Sequence, residues 1–315
     1  MTEQFKKDVD QGLSQSSKYI SSKYFYDEIG DALFAKIMHL PEYYLTRSEL
    51  QIFKNQSNKI IDHLEIKKDQ YFELIELGAG DGLKTKKLLK CLQKRGFHFD
   101  YFPVDISQNA LDILEKSIKK DLPKVNVVKK QGDYFEMLAS FKERTKPKVI
   151  LFLGSNIGNM SDEIATEFIY NLGSNLHKND KLLLGVDLIK EKSVVLAAYN
   201  DNSGVTKDFN LNLLHRMNTE LGANFVIHQF EHMPEYSEKD GIAKSFLSSK
   251  TNQKVYFKSL DKTYSFAKGE KIATEISRKY NDNILQKILN PTDFFILDKL
   301  TDSKAYFANY ILCKA

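Results

Sequence analysis

The sequence predicts an α/β protein: a doubly wound, mainly parallel Rossmann-like sheet with a second, α+β lobe attached. Three observations predict it. Short apolar runs alternate with amphipathic helical segments between residues 71 and 190. A glycine-rich turn, Gly78-Ala79-Gly80-Asp81-Gly82, joins the first run to the first of those helices. After about residue 190 the alternation stops, and short strands separated by turns take its place.

Residues 1–65 read as helical. Ile29, Leu33, Phe34 and Ile37 fall at helical spacing within 27–38, and 48–64 repeats the pattern. The strand-and-helix series then begins: strand 71–77, helix 84–95, strand 99–104, helix 109–120, strand 125–129. Segment 148–153 (KVILFL) is the most apolar and reads as a central buried strand, followed by helix 163–176 and strand 181–188. Beyond 190, helices are predicted at 194–199 and 211–221, and strands at 225–230, 243–248, 253–257 and 264–266. A short helix at 284–289 precedes a closing hairpin, 294–297 with 306–313, that returns to the main sheet. The expected organisation is an N-terminal helical segment, 1–65, contributing to the second lobe; a sheet domain from 66–190 plus 291–315; and the lobe itself, 191–290.

Composition narrows the class. With 42% hydrophobic and 28% charged residues, the chain matches globular proteins and excludes disordered or coiled-coil architectures. No apolar stretch reaches the roughly 18 residues that span a bilayer, and the charged start MTEQFKKDVDQGL lacks the apolar core of a secretory signal. Two cysteines, Cys91 and Cys313, fit a reducing compartment. A soluble, cytoplasmic protein is therefore expected, with no membrane partner. The net charge of +4 comes from lysines spread along the chain, whereas phosphate backbones call for a focused patch, so no nucleic-acid partner is expected either.

The glycine turn follows a strand and opens a helix, where backbone can approach a ligand and free N–H groups await it. A dinucleotide fingerprint needs a third small residue at the position Leu83 occupies, so that pattern fails. S-adenosylmethionine, which brings no pyrophosphate, suits the loop better; a plain tight turn is the alternative. Asp105 ends the second strand, where an acid accepts from ribose hydroxyls. Asp133, in Gln-Gly-Asp-Tyr, follows the third, where it can accept from an adenine amine while Tyr134 packs on the ring. Either acid alone could be a helix cap. Together with the loop, at successive strand ends, they point to a nucleoside-bearing methyl donor.

Motifs along almost the whole chain resemble those of one family. They are KYFYDEIG (23–30), LPEYYLTR (40–47), IELGAGDGLKT (75–85), PVDIS (103–107), FLGSNIGN (152–159), LLLGVDLIK (182–190), AYNDNSGVTKDFN (198–210) and TEISRKY (274–280). In their order they resemble the histidine-specific, S-adenosylmethionine-dependent Nα-methyltransferases of ergothioneine biosynthesis. Such enzymes carry a class I methyltransferase sheet with a substrate-binding lobe, trimethylate free L-histidine to hercynine, and release S-adenosyl-L-homocysteine.

The resemblance implies cofactor contacts at Gly78, Lys84, Asp105, Asp133 and Tyr134, the last in place of a Phe. It implies that Asn159 and Tyr199 hold the amino acid's carboxylate, that Tyr43, Glu275 and Ser277 recognise the imidazole, and that Tyr26 lies near the reacting amine. The residue chemistry agrees. Asn and Tyr donate to a carboxylate without adding charge, and Glu275 can accept from a ring N–H. Bland readings stand beside these: lobe packing for Tyr26 and Tyr43, a loop or capping role for Asn159, and a solvent-facing strand pair for Glu275 and Ser277. One departure bears on specificity. Where the family commonly has Met, this chain has Ser245, which implies a roomier or more polar side-chain pocket. Another amino acid or amine as substrate, or a non-catalytic cofactor-binding scaffold, are the competing readings.

No metal is expected. His228 and His232 fall in a predicted strand, about 13 Å apart by strand rise, and lack the HExxH order. Oligomeric state is left open, with a monomer as the default expectation.

Overall fold

A computed structural model describes residues 2–132 and 134–315. Two compact units emerge: residues 1–44 with 190–278, and residues 45–189 with 279–315.

The second of these units is built on the main sheet. Its strands are β1 (Phe72–Leu77), β2 (Phe99–Asp105), β3 (Asn126–Val127), β4 (Lys130–Gln131), β5 (Lys148–Phe152), β6 (Lys181–Asp187), β12 (Phe294–Thr301) and β13 (Phe307–Lys314). Their spatial order is β12-β13-β6-β5-β1-β2-β3, with β4 also on β2. All pairings are parallel except those of β13, which runs antiparallel to both β6 and β12. Alternate residues leave opposite faces of each strand. Val149 and Leu151 of β5 therefore join one core cluster, while Ile150 and Phe152 join the other. Onto the first face pack α3 (Tyr44–His63), α4 (Thr85–Lys94) and α5 (Gln108–Asp121); onto the second pack α7 (Asp162–Gly173) and α10 (Asp282–Leu289). A short α6 (Tyr134–Ala139) lies between β4 and β5 in the chain.

The other unit holds α1 (Thr2–Leu13), α2 (Glu28–Ile37), α8 (Lys192–Tyr199) and α9 (Val205–Leu221). Strands β7 (Phe230–Ser237), β8 (Ile242–Ser249) and β11 (Lys271–Arg278) form an antiparallel sheet with β8 in the centre, and β9 (Gln253–Phe257) pairs with β10 (Lys262–Phe266) in a hairpin. Phe209, Leu213, Met217 and Leu221, four residues apart on α9, face a core shared with Phe5 and Val9 of α1 and with Leu247, Phe257 and Ile272.

The boundaries fall at 44/45, 189/190 and 278/279, against 65, 190 and 290 from the sequence. Two buried stripes account for the shift. Ile52, Phe53, Ile60 and Ile61 of α3 pack with Leu74 and Leu88 of the sheet unit, and Leu285, Ile288 and Leu289 of α10 pack with Ile169 and Leu172. The third strand expected at 125–129 is two separate two-residue pairings on the sheet's edge. The strand expected at 225–230 starts only at Phe230, after a 3-10 turn over Ile227–Gln229. Asn218 is the cause: its side chain donates to the Phe225 carbonyl (2.9 Å) and accepts from the Phe225 N–H (2.8 Å), tying that segment to α9. His228 thus lies in the turn and His232 in β7, not together in one strand. Among the described residues no helix is long and apolar enough to cross a membrane.

Candidate active site

The chain runs outward from β1 through β2 to β3, then returns to β5 on the other flank of β1. Such a reversal opens a crevice at the carboxyl ends of β1 and β5. Gly78, Gly80 and Gly82 all take positive φ there (+72°, +52° and +63°). A Cβ on Gly78 would come within 2.6 Å of the Tyr134 hydroxyl, whereas one on Gly80 would meet nothing within 4 Å. The first glycine is favoured by its left-handed backbone and by the nearby Tyr134 hydroxyl, and the second leaves open backbone for a ligand. Asp105 closes β2 with Oδ1 accepting the Ser107 N–H (3.0 Å), the start of α5. The Tyr134 ring stands edge-on to Phe152 at 6.1 Å. Open glycine backbone, a strand-end carboxylate and an aromatic ring suit the nucleoside and amino-acid parts of S-adenosylmethionine. Asp133 lies outside the described residues.

Behind the glycine loop, Glu76 is buried between two donors, Thr85 Oγ1 (2.7 Å) and the Tyr101 hydroxyl. Burial pushes its carboxyl up from 4.5 to about 7. Between those two values the folded protein holds a proton that the unfolded chain has released, so stability falls as pH rises through that window. The melting temperature is expected to drop between pH 5 and 7.5 and level off above. Glu76→Gln should flatten that slope and raise stability at pH 8. A variant with the same slope as the parent would assign the effect elsewhere.

Lys84 follows the loop and forms an ion pair with Glu49 on α3. Glu49 is 1% exposed. Its Oε2 also accepts the Gly154 N–H (2.9 Å), and its Oε1 accepts from Asn309 Nδ2 of β13 (3.0 Å). One carboxylate thus ties together the turn after β1, the turn after β5 and the antiparallel strand. Sequence reasoning passed over Glu49, although an acid lying between Leu45 and Ile52-Phe53 on a buried stripe was a signal. Asn159 ends a 3-10 turn (Asn156–Asn159) beyond β5 and is exposed.

The remaining residues lie in the unit of residues 1–44 and 190–278. Tyr26 follows a 3-10 turn (Ser22–Phe25) and precedes α2, whose N-cap Asp27 accepts from the Gly30 N–H (2.7 Å) and from Asn212 Nδ2 (2.8 Å). Its ring meets Phe34 (5.6 Å) and Phe209 (5.9 Å) edge-on, and Phe34 in turn meets Tyr43 (6.2 Å). Tyr26 is 45% exposed, yet the protein packed around it, and after that the Glu275 carboxylate, lift its phenol above the ordinary value. At neutral pH Tyr26 is a phenol.

Tyr199 ends α8 as a buried residue, and its carbonyl accepts from His232 Nε2 (2.8 Å). Burial holds His232 below its usual value, in the neutral form. Two residues on, Asp201 accepts the N–H groups of Val205 (3.0 Å) and Thr206 (2.7 Å). Burial opposes its ionisation, yet these bonds and one from Ser203 keep the carboxyl well below the usual range. Glu275 and Ser277 stand on β11 opposite Ser245 and Ala243, just past a bulge between Ala273 and Glu275. A bulge re-aims the side chains around it. Ser277 is buried; Glu275 is half-buried and accepts from Ser245 Oγ (3.1 Å). Tyr26, Tyr199, Glu275 and Ser245 are therefore electrostatic or hydrogen-bonded neighbours within this unit. No group of three or more metal-ligating side chains occurs among the described residues.

Comparison with known proteins identifies the family. The CurJ carbon methyltransferase superposes with a TM-score of 0.50 at 12% identity, over 90% of this chain and 58% of its own, which supports the fold alone. A histidine N-alpha-methyltransferase of Mycolicibacterium smegmatis is 34% identical over 91% of this chain and 88% of its own length. Ergothioneine biosynthesis protein 1 of Schizosaccharomyces pombe is 30% identical over 96% of this chain, which spans 40% of that longer protein. The family model for histidine-specific, S-adenosylmethionine-dependent methyltransferases matches residues 5–314. A glycine turn, an acid at the end of β2 and a re-aimed Glu275 thus occur in a chain that belongs to the family of histidine-specific, S-adenosylmethionine-dependent methyltransferases.

Proposed function

We propose that this protein transfers methyl groups to the α-amine of free L-histidine, three times, giving hercynine. The observation that carries the reading is Glu275: a half-buried carboxylate beside a bulge, hydrogen-bonded to Ser245 across the strand pairing. An acceptor so placed recognises a ring N–H and sets the tautomer of an imidazole.

S-adenosylmethionine, when bound, supplies an electrophilic methyl group on sulfur. Gly78, Lys84, Asp105, Asp133 and Tyr134 hold it by resemblance to the family. Tyr199 and Asn159 take the amino acid's carboxylate, and Tyr43, Glu275 and Ser277 take its ring. The amine attacks through its lone pair and must be neutral first. Tyr26, a phenol at neutral pH, is suited to orient that lone pair and is no standing base, so the proton leaves to water. Alignment then provides most of the acceleration, with no covalent enzyme intermediate. Aromatic faces such as Tyr26 and Phe34 suit the growing ammonium head. The protein acts without a metal, in the cytoplasm, as a monomer.

Mass spectrometry of the purified protein with S-adenosylmethionine and the twenty amino acids in one pot tests the reading. A gain of three methyl groups on histidine alone is expected. Methylation of a different amino acid would keep the chemistry and replace the substrate, a reading that Ser245 favours; no methylation at all would reject both. Glu275→Ala should raise the KM for histidine by about 10- to 100-fold, as loss of a hydrogen bond to a charged group predicts, while cofactor affinity stays within twofold. Asp105→Ala should do the reverse. Equal losses of both affinities in either variant would make that residue structural.

A further inference from the structure

We infer that Ser245 is a positioning residue for Glu275, the inner end of a polar line that fixes the ring-recognising carboxylate in place. The inference rests on the proposed role of Glu275 as the acceptor for the substrate's side chain.

Ser245 is fully buried on β8, the central strand of its sheet, where an apolar side chain would be the ordinary choice. Its hydroxyl donates to Glu275 Oε2 (3.1 Å), the residue directly across the β8–β11 pairing. Because Glu275 keeps part of its surface open, its carboxylate has rotamers to choose from, and a donor fixed on a central strand selects one.

Ser245 is itself fixed from behind. The bulge leaves Thr274 out of the pairing register, and its buried hydroxyl lies 3.0 Å from both the Ser245 carbonyl and Asn210 Oδ1. Asn210, fully buried on α9, donates to the Thr206 carbonyl (3.0 Å) one turn earlier. The Thr206 N–H donates to Asp201 (2.7 Å), two residues beyond Tyr199. Hydrogen-bonded groups therefore lead from the segment that follows Tyr199, through α9, to the carboxylate of Glu275. The line is not a closed network: the one Thr274 proton is shared between two acceptors, and the buried Thr206 hydroxyl has no hydrogen-bond partner among the described residues. The bonds that are made still restrict the separation of the residue assigned to the substrate's carboxylate from the one assigned to its ring. The enzyme would then choose among amino acids by the reach of the side chain as well as by its N–H.

A double-mutant cycle tests this. Ser245→Ala should raise the KM for L-histidine roughly 3- to 10-fold, the range of an ordinary intramolecular hydrogen bond and less than the loss of a contact to the substrate itself. The kcat and the affinity for S-adenosylhomocysteine should stay within twofold. In a Glu275→Ala background the same substitution should add nothing. Thr274→Val, which leaves Ser245 and Glu275 intact, should give a smaller rise in KM of the same kind. An unchanged KM in Ser245→Ala, or an equal factor in both backgrounds, would overturn the inference. If the parent protein methylates a different amino acid, the cycle is run with that substrate; the histidine reading then fails separately from the role of Ser245.

Discussion

Replacing Glu49 with alanine is expected to lower the melting temperature by roughly 10 °C and to weaken cofactor binding at the same time. Glu49 is almost fully buried and is shared by Lys84, the Gly154 N–H and Asn309. Removing the acceptor strands three donors at once, one of them charged. Breaking a buried ion pair from one side costs about 3–5 kcal/mol. For a unit of this size that corresponds to a shift of about 2–4 °C per kcal/mol. The cofactor effect follows from position, since Lys84 follows the glycine turn and Gly154 lies in the turn after β5. Thermal unfolding read beside calorimetric titration with S-adenosylhomocysteine separates the two. A loss of stability with full affinity would confine Glu49 to holding α3; full stability and full affinity would contradict the assignment altogether. Glu49→Gln keeps the shape and should fall between parent and Glu49→Ala.

Lys279→Met should be comparably severe for stability. Lys279 and Asp187 form an ion pair at 2.8 Å with neither side chain exposed. Removing the cation leaves the Asp187 carboxylate in the interior without the charge it was paired with, at a cost of about 3–5 kcal/mol. Replacing both partners is a different matter: an apolar pair of similar volume is often neutral. Lys279→Met with Asp187→Leu should therefore recover most of the lost melting temperature. A double variant no better than the single one would mean that the surrounding polar groups, and not the pairing of two charges, make this position indispensable. Melting temperatures and denaturant midpoints for the parent, Lys279→Met, Asp187→Leu and the double variant decide it.

Strands of the main sheet were legible because burial on both faces writes them as unbroken apolar runs: KVILFL and KLLLGVDL allow few other readings. The glycine turn was equally plain as a turn, but glycines alone do not separate a cofactor loop from a tight corner; Asp105 and the run of motifs along the chain were needed for that. Less could be read where a side chain far along the chain decides the local backbone. Nothing within 225–229 reveals that Asn218 will pin Phe225 to α9. The break between β3 and β4 belongs to an edge strand, which has only one neighbour to hold it straight. For the site, Glu275 and Ser277 could be paired by their spacing of two. The bulge ahead of them and the hydroxyl of Ser245 under the carboxylate are tertiary facts. Glu49 was missed because its partners, Lys84, Gly154 and Asn309, are distant in sequence and are brought to it only by the folded sheet.

The antiparallel strand β13 lies against β6, yet Leu184 and its partner Tyr310 are far apart in the chain. Closing so long a loop is an entropic burden on folding. The bridge between Leu188 and Tyr280, the bond from the Ile189 N–H to the Tyr280 carbonyl (2.9 Å) and the Asp187–Lys279 pair change the geometry of that search. Once they form, the roughly 90 residues between them are bypassed, and the effective loop between β6 and β13 shrinks by about two doublings, worth roughly 1 kcal/mol of closure free energy. The stretch that carries Tyr199, Ser245 and Glu275 can then rearrange, or vary in length between related chains, with little effect on how the last strands find the sheet.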